Sequence, residues 1–184
     1  MVLTKTPICN FGENAKDFNL KSTENKEISL KDVTGKNGTL IMFICNHCPY
    51  VKAIIKDLVK DVKFLETLGI KSAGIMSNDA KNYPDDSFEN MKYFSKSHSF
   101  SFPYLIDETQ DVAKKYGAVC TPDFFGYNKN LELQYRGRIR ELKDLKPIGK
   151  GDSDLKLAMK LVAETGNGPE YQIPSMGCNI KWFK

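Results

Sequence analysis

Six apolar residues in a row, Leu40-Ile41-Met42-Phe43-Ile44-Cys45, constrain this chain more than any other feature. With Thr39 ahead of them they read as a strand covered on both faces, because a solvated face would interrupt the run with alternating polar residues. Such strands belong to parallel sheets. The next segment predicts a helix. Val51, Ile54, Ile55, Leu58, Val62 and Leu65 recur at helical spacing, lysines 52, 56, 60 and 63 take the other faces, and Gly69 stands where a C-terminal cap would. Ile70 to Met76 reads as a second buried strand. Strand, helix, strand in this order is a βαβ unit, which requires a parallel pair.

The flanks fill in the architecture. Residues 15–36 read as short strands and turns, with Phe18, Leu20, Ile28 and Leu30 alternating against polar neighbours. Asp86 with Glu89, and Asp107 with Gln110, have capping-box spacing and predict two short helices. The first carries Phe88, Met91 and Phe94; the second ends at Tyr116-Gly117. Asp123 to Tyr127 and Leu131 to Tyr135 flank Asn128-Lys129-Asn130 and predict an antiparallel hairpin. Residues 138–151 are basic and loop-like, and Ser153 to Thr165 is a last helix. The tail from Gly166 contains Gly168-Pro169 and Pro174 and reads as irregular, with Trp182 and Phe183 apolar enough to seek a docking surface. The expected fold is α/β: a mixed central sheet with helices on both faces. A chain of 184 residues suits one domain, 1–184, with 1–14 as an N-terminal arm and 166–184 as a C-terminal tail.

Composition excludes several functions. Lysine plus arginine is 27 against 23 acidic residues, a net charge of +4. That is too small and too dispersed for the footprint of a nucleic-acid binder. No segment approaches the roughly 18 consecutive apolar residues of a membrane span. Met1 to Pro7 lacks the apolar core of a secretory signal, so the expected location is cytoplasmic. The five cysteines, Cys9, Cys45, Cys48, Cys120 and Cys178, are odd in number and do not resemble a disulfide framework. In a reducing cytosol, a close pair points to redox chemistry or to metal.

The close pair is Cys45-Asn46-His47-Cys48-Pro49, set between the buried strand and the helix start. A helix start carries unsatisfied N–H groups and the positive end of the dipole. Thiolates are stabilised there, with pKa values falling from about 8.5 to roughly 3.5–7.5. Two intervening residues let the sulfurs meet in one turn and close a disulfide. His47, when cationic, would stabilise a thiolate further, and Pro49 fits the first helical turn. The expected roles are Cys45 as nucleophile at the more exposed edge, Cys48 as resolving thiol deeper in the first turn, and His47 as tuner. No prosthetic group is needed, since the two sulfurs carry both electrons.

Cys120-Thr121-Pro122 comes directly before the hairpin. Here the chain resembles the thioredoxin superfamily, whose cis-proline precedes its hairpin and faces the dithiol. The resemblance implies that Pro122 is cis, and that the Thr121 backbone is held open to pair with an extended substrate. It narrows to a bacterial redoxin group under the alkyl hydroperoxide reductase/thiol-specific antioxidant heading. The matching blocks are 43–51, containing the Cys45–Pro49 motif; Ser77-Asn78-Asp79 with Tyr83-Pro84-Asp85-Asp86; Phe102-Pro103-Tyr104-Leu105; and Asp107-Glu108-Thr109-Gln110. They continue with Cys120 to Phe125, Tyr135-Arg136-Gly137 and Pro174 to Trp182. The resemblance implies a thioredoxin fold with an N-terminal extension and thiol–disulfide oxidoreductase activity. Expected partners are protein or small-molecule disulfides and dithiols, with a thiol reductant. Cys120, near the dithiol if Pro122 faces it, and Cys178, if the tail folds back, are candidate auxiliary thiols. The chain departs from the group after Gly137, where Arg138 to Lys143 is basic and mixed rather than acidic, and at Cys9, where the group carries another residue.

Two other readings compete. Peroxiredoxins share the fold and need Pro-x-x-x-Thr-x-x-Cys. With Cys48 as the peroxidatic residue, the threonine and proline positions hold Cys45 and Ile41; with Cys45, they hold Met42 and Gly38. Neither register fits. A metal-binding module could use Cys45, His47 and Cys48 with Cys120 or Cys178, but no second close Cys or His pair exists to complete the usual spacing. No metal is expected.

Overall fold

Strand alternation explains why the apolar run is buried throughout. The structure, a computed structural model, describes residues 2–184. In it Gly38–Phe43 is a strand with all six residues buried. Leu40, Met42 and Ile44 point into one hydrophobic cluster, and Ile41 and Phe43 into a second on the opposite face. Period-two geometry divides the run between two cores, and so it tolerates no polar position.

In chain order the elements are β1 (Leu3–Lys5), β2 (Asn19–Ser22), β3 (Glu27–Ser29), β4 (Gly38–Phe43), α1 (Pro49–Thr67), β5 (Ile70–Met76), α2 (Phe88–Ser97) and β6 (Tyr104–Ile106). Then come α3 (Asp111–Tyr116), β7 (Cys120–Thr121), β8 (Asp123–Tyr127), β9 (Leu133–Tyr135), β10 (Leu142–Lys143), β11 (Lys146–Pro147), α4 (Asp154–Thr165) and β12 (Met176–Asn179). The main sheet has the order β3-β2-β6-β5-β4-β8-β9. β4 and β5 are parallel, as are β5 and β6, while β8 joins β4 antiparallel. One core contains the apolar stripe of α1 with Leu155, Met159 and Val162 of α4. The other gathers Phe18, Phe43, Tyr116, Phe125 and Tyr127. No helix among the described residues is long and apolar enough to cross a membrane.

Most sequence expectations match these elements, and four differ. Ser87, not Asp86, caps α2, accepting from the Asn90 N–H, and Asp86 turns inward instead. Asp107 does serve the start of α3, accepting from the N–H groups of Val112 and Ala113. Gln110, its expected capping partner, holds the carbonyls of Ser77 and Lys181 instead. Within the basic loop 138–151, β10 and β11 form a small hairpin.

The tail departs furthest. β12 is a central strand, flanked by β1 and β7 in a separate three-stranded sheet. Its partners lie far away in sequence, so no local pattern announces it. The aromatic end is only half covered: Trp182 and Phe183 are 39% and 49% exposed, with the Phe183 N–H donating to Gln110 Oε1.

Candidate active site

Pro49 shapes the helix start. Its ring holds φ near the helical value and disfavours helical backbone in the residue before it. Cys48 accordingly takes extended backbone (φ −63°, ψ 122°) as the N-cap of α1. That places its sulfur over the first turn, where the Val51 N–H is available to it. Cys45 lies two residues beyond the end of β4, and the two thiols are close enough for each to shift the other's ionisation.

Thr121 packs against both sulfurs. Its hydroxyl lies 3.3 Å from Cys45 Sγ, and its carbonyl oxygen 3.1 Å from Cys48 Sγ. The Thr121–Pro122 bond is cis, as the superfamily resemblance implied. The expected open backbone edge is filled, however. Cys178 of β12 stands opposite Thr121, and its Sγ is 3.1 Å from Cys48 Sγ. Cys120 is buried with its thiol directed at the Pro122 carbonyl, and burial pushes its pKa up. Cys9 lies elsewhere, against the second core.

Neither active thiol sits at an exposed edge. Cys45 is 1% and Cys48 0% exposed. The tail accounts for part of this cover and a polar network for the rest. Asp86 lies beneath the motif. One of its oxygens accepts from the Asn46 N–H (2.8 Å) and the His47 N–H (3.3 Å). The other meets His47 Nδ1 (2.6 Å) and accepts from Asn78 Nδ2 (2.8 Å). The Tyr104 hydroxyl donates to Asn46 Oδ1 at 2.9 Å. These bonds tie the loop to the ends of β5 and β6.

The electrostatics follow from these contacts. The bond to Asp86 raises the His47 pKa, against a weaker effect of burial. Burial pushes Asp86 up, but bonds from His47 and Asn78, the His47 charge and the Asn46 N–H outweigh it and hold the carboxyl below its ordinary value. His47 therefore has its counter-ion built in. Its Nδ1 is 4.0 Å from Cys45 Sγ, yet Asp86 stands beside it and opposes charge on Cys45. Burial, the bond to Cys48 and the Asp86 charge all push Cys45 up. Cys48 is pulled down to about 5, first by the Cys45 hydrogen bond and then by Cys178 and the Val51 N–H, against burial. The Thr121 carbonyl, 3.1 Å from Cys48 Sγ, favours a proton there and works against that pull. The sequence expects the thiolate at Cys45, and Asp86, which stands beside it, is beyond local reading.

Cys45, His47 and Asp86 each bring a ligand atom within 4.8 Å of the others, a spacing that could hold a metal ion. Beside Pro122 opens a groove of about 540 Å³ lined by Tyr50, Ile54, Ile139 and Met176, with Arg138 and Arg140 of the basic segment. Those two arginines are paired with Asp154 and Asp57.

Asp86, Asn78, Tyr104 and Ser175, whose hydroxyl donates to the Pro122 carbonyl at 2.8 Å, are site residues that residue-level reading misses. Their signal was present in the matching blocks, which contain all four.

A family model described as the AhpC/TSA family matches residues 11–142. The thiol-disulfide oxidoreductase ResA of Bacillus cereus (strain ATCC 10987 / NRS 248) is 30% identical over 135 residues, covering 72% of this chain and 69% of that protein. The crystal structure of an uncharacterized conserved protein from Geobacillus kaustophilus is 39% identical, with a TM-score of 0.93 over 100% of this chain and 97% of the other. The thioredoxin domain of a Bacteroides vulgatus thiol-disulfide oxidoreductase shares the fold at 17% identity, with a TM-score of 0.58 over 68% of this chain and 86% of that one.

Proposed function

The chain belongs to the AhpC/TSA family, and from that premise we propose that it is a thiol–disulfide oxidoreductase working through Cys45 and Cys48. The observation that carries this reading is the pair of thiols at the start of α1 with Thr121 against both, its hydroxyl 3.3 Å from Cys45 Sγ and its carbonyl oxygen 3.1 Å from Cys48 Sγ. The thiolate is the nucleophile in such exchange. Cys48, the thiol whose pKa is pulled down, attacks the substrate disulfide, forms a mixed disulfide and expels one substrate thiolate. Cys45 then attacks Cys48 Sγ, closes the Cys45–Cys48 disulfide and releases the second substrate thiol. This order is the reverse of the one the sequence suggests. His47 and Asp86 position the loop and keep the proton on Cys45 until it is needed.

Substrates are protein or small-molecule disulfides, and a thiol reductant restores the dithiol. Pro122 and Thr121 form the wall against which the substrate sulfur lies, approached through the groove beside Pro122. No group beyond the two sulfurs is required, because together they carry two electrons. Reducible disulfide substrates should be turned over by the wild type and not by Cys48→Ser. With Cys178 also replaced, because it lies 3.1 Å from Cys48 Sγ, Cys45→Ser should accumulate mixed disulfides at Cys48, detected by mass spectrometry. Accumulation in Cys48→Ser instead would reverse the order of attack. Full turnover by both variants would remove the dithiol from the reaction.

A further inference from the structure

Cys178 is held at the dithiol by a built support, not by a loose terminus. β1 pairs with one edge of β12 and β7 with the other. The Thr6 N–H donates to the Ser175 carbonyl at 2.9 Å, and the Ser175 hydroxyl to the Pro122 carbonyl at 2.8 Å. Beyond the strand, the Lys181 N–H donates to Asn78 Oδ1 at 2.8 Å, the same Asn78 that bonds Asp86. Gly177 permits the close approach, since a Cβ there would collide with the Thr121 carbonyl oxygen. The result is a buried sulfur 3.1 Å from Cys48 Sγ. A disulfide is about 2.05 Å long, so a shift of about 1 Å joins them.

We infer that Cys178 is a third redox thiol of this site, exchanging with Cys48. The inference rests on the oxidoreductase reading above. The step begins from the Cys45–Cys48 disulfide. The Cys178 thiolate attacks Cys48 Sγ, the Cys48–Cys178 bond forms and the Cys45–Cys48 bond breaks. Cys45 leaves as a thiolate and takes up the proton that Cys178 gave up. Nothing is oxidised or reduced overall, so no further reactant is needed. In the reduced site, burial and then the neighbouring Cys48 push the Cys178 pKa up to about 12. Once Cys48 is in a disulfide its charge is gone, and Cys178 gives up its proton more readily.

The two oxidised forms differ in what they do to the tail. A Cys45–Cys48 disulfide leaves β12 without a covalent tie to the site, so that it can move aside for a substrate. A Cys48–Cys178 disulfide fastens β12 across Thr121 and closes that edge.

Trypsin separates the two forms, because Cys45 and Cys48 share the peptide 37–52 and Cys178 lies in 161–181. The full-length chain is oxidised with stoichiometric diamide, alkylated and mapped without reduction. In Cys45→Ser, the 37–52/161–181 cross-link should be the main oxidised product. In the wild type it should appear beside the loop disulfide within 37–52, and Cys178→Ser should yield the loop disulfide alone. Wild-type protein that forms the loop disulfide and turns over, without any cross-link, overturns the third-thiol role and leaves the oxidoreductase reading standing. Loss of both the loop disulfide and turnover overturns the oxidoreductase reading itself. Should Cys45→Ser not fold, the wild-type map alone decides between these outcomes.

Discussion

Two buried aspartates, Asp86 under the dithiol loop and Asp123 at the start of β8, have the same solvent exposure and opposite acid–base behaviour. Both side chains are fully buried, and both face a cationic partner. Asp86 is held below the ordinary carboxylate value, whereas burial pushes Asp123 up to about 6 despite Arg136. Asp123 lies deeper in the protein, and its donors are weaker. Asp86 has four contacts, three of them between 2.6 and 2.8 Å. Asp123 accepts from Arg136 Nε and Nη2 and the Val119 N–H at 3.0–3.3 Å. A formal charge opposite does not by itself offset desolvation; short hydrogen bonds to the ionised form do. The dithiol loop rests on the better satisfied of the two.

The largest test of this contrast is Asp86→Ala. It strands the Asn46 and His47 N–H groups and the Asn78 amide in a buried site, and should cost about 3–5 kcal/mol in urea unfolding. The loop should also lose its fixed shape, lowering disulfide turnover. A cost under about 1 kcal/mol would show that the network is not what holds the loop.

Arg136→Met, which keeps the packing over Phe125, should cost less, about 2–3 kcal/mol at pH 8. The reason is that Asp123 can escape its buried charge by taking a proton. With a folded pKa raised to about 6, Asp123 contributes stability that is full below its unfolded value of about 3.9 and is lost as pH rises through about 6. The penalty of Arg136→Met should therefore shrink as pH falls from 8 to 5. The stabilising effect of Asp86 runs the other way, present above about 3.9 and lost as pH falls through its depressed folded value. Equal pH profiles for variants at the two aspartates would break the comparison.

The smallest effect is that of His47→Gln. Its folded pKa is raised, so its contribution is full below the unfolded value of about 6.5 and is lost as pH rises through the folded one. Because the imidazole is partly solvated, screening reduces the effect to under about 1 kcal/mol. It should be measurable at pH 6 and vanish at pH 9.

Much of the fold was legible because its signals are local. The βαβ unit follows from an unbroken apolar run and a helical stripe, and the last helix from Ser153, which caps α4 by accepting from the Lys156 N–H. Asp86 shows where local reading fails. Its spacing to Glu89 mimics a capping box, while its real partners, Asn46 and His47, lie about 40 residues away. The close thiol pair was legible for the same reason as the helix, since two intervening residues fix it within one turn. Its burial was not, because part of the cover comes from β12, the tail strand paired far from its place in the sequence, and part from Asp86 and Tyr104.

By itself, the sequence determined the βαβ frame and the dithiol at a helix start, because each depends on residues within a few turns of one another. Only the tertiary structure decided which charges stand beside each sulfur and what covers the pair. Charge balance at Cys45 depends on Asp86, and access to Cys48 on Cys178, and both reach the site through long-range pairing that no periodicity encodes.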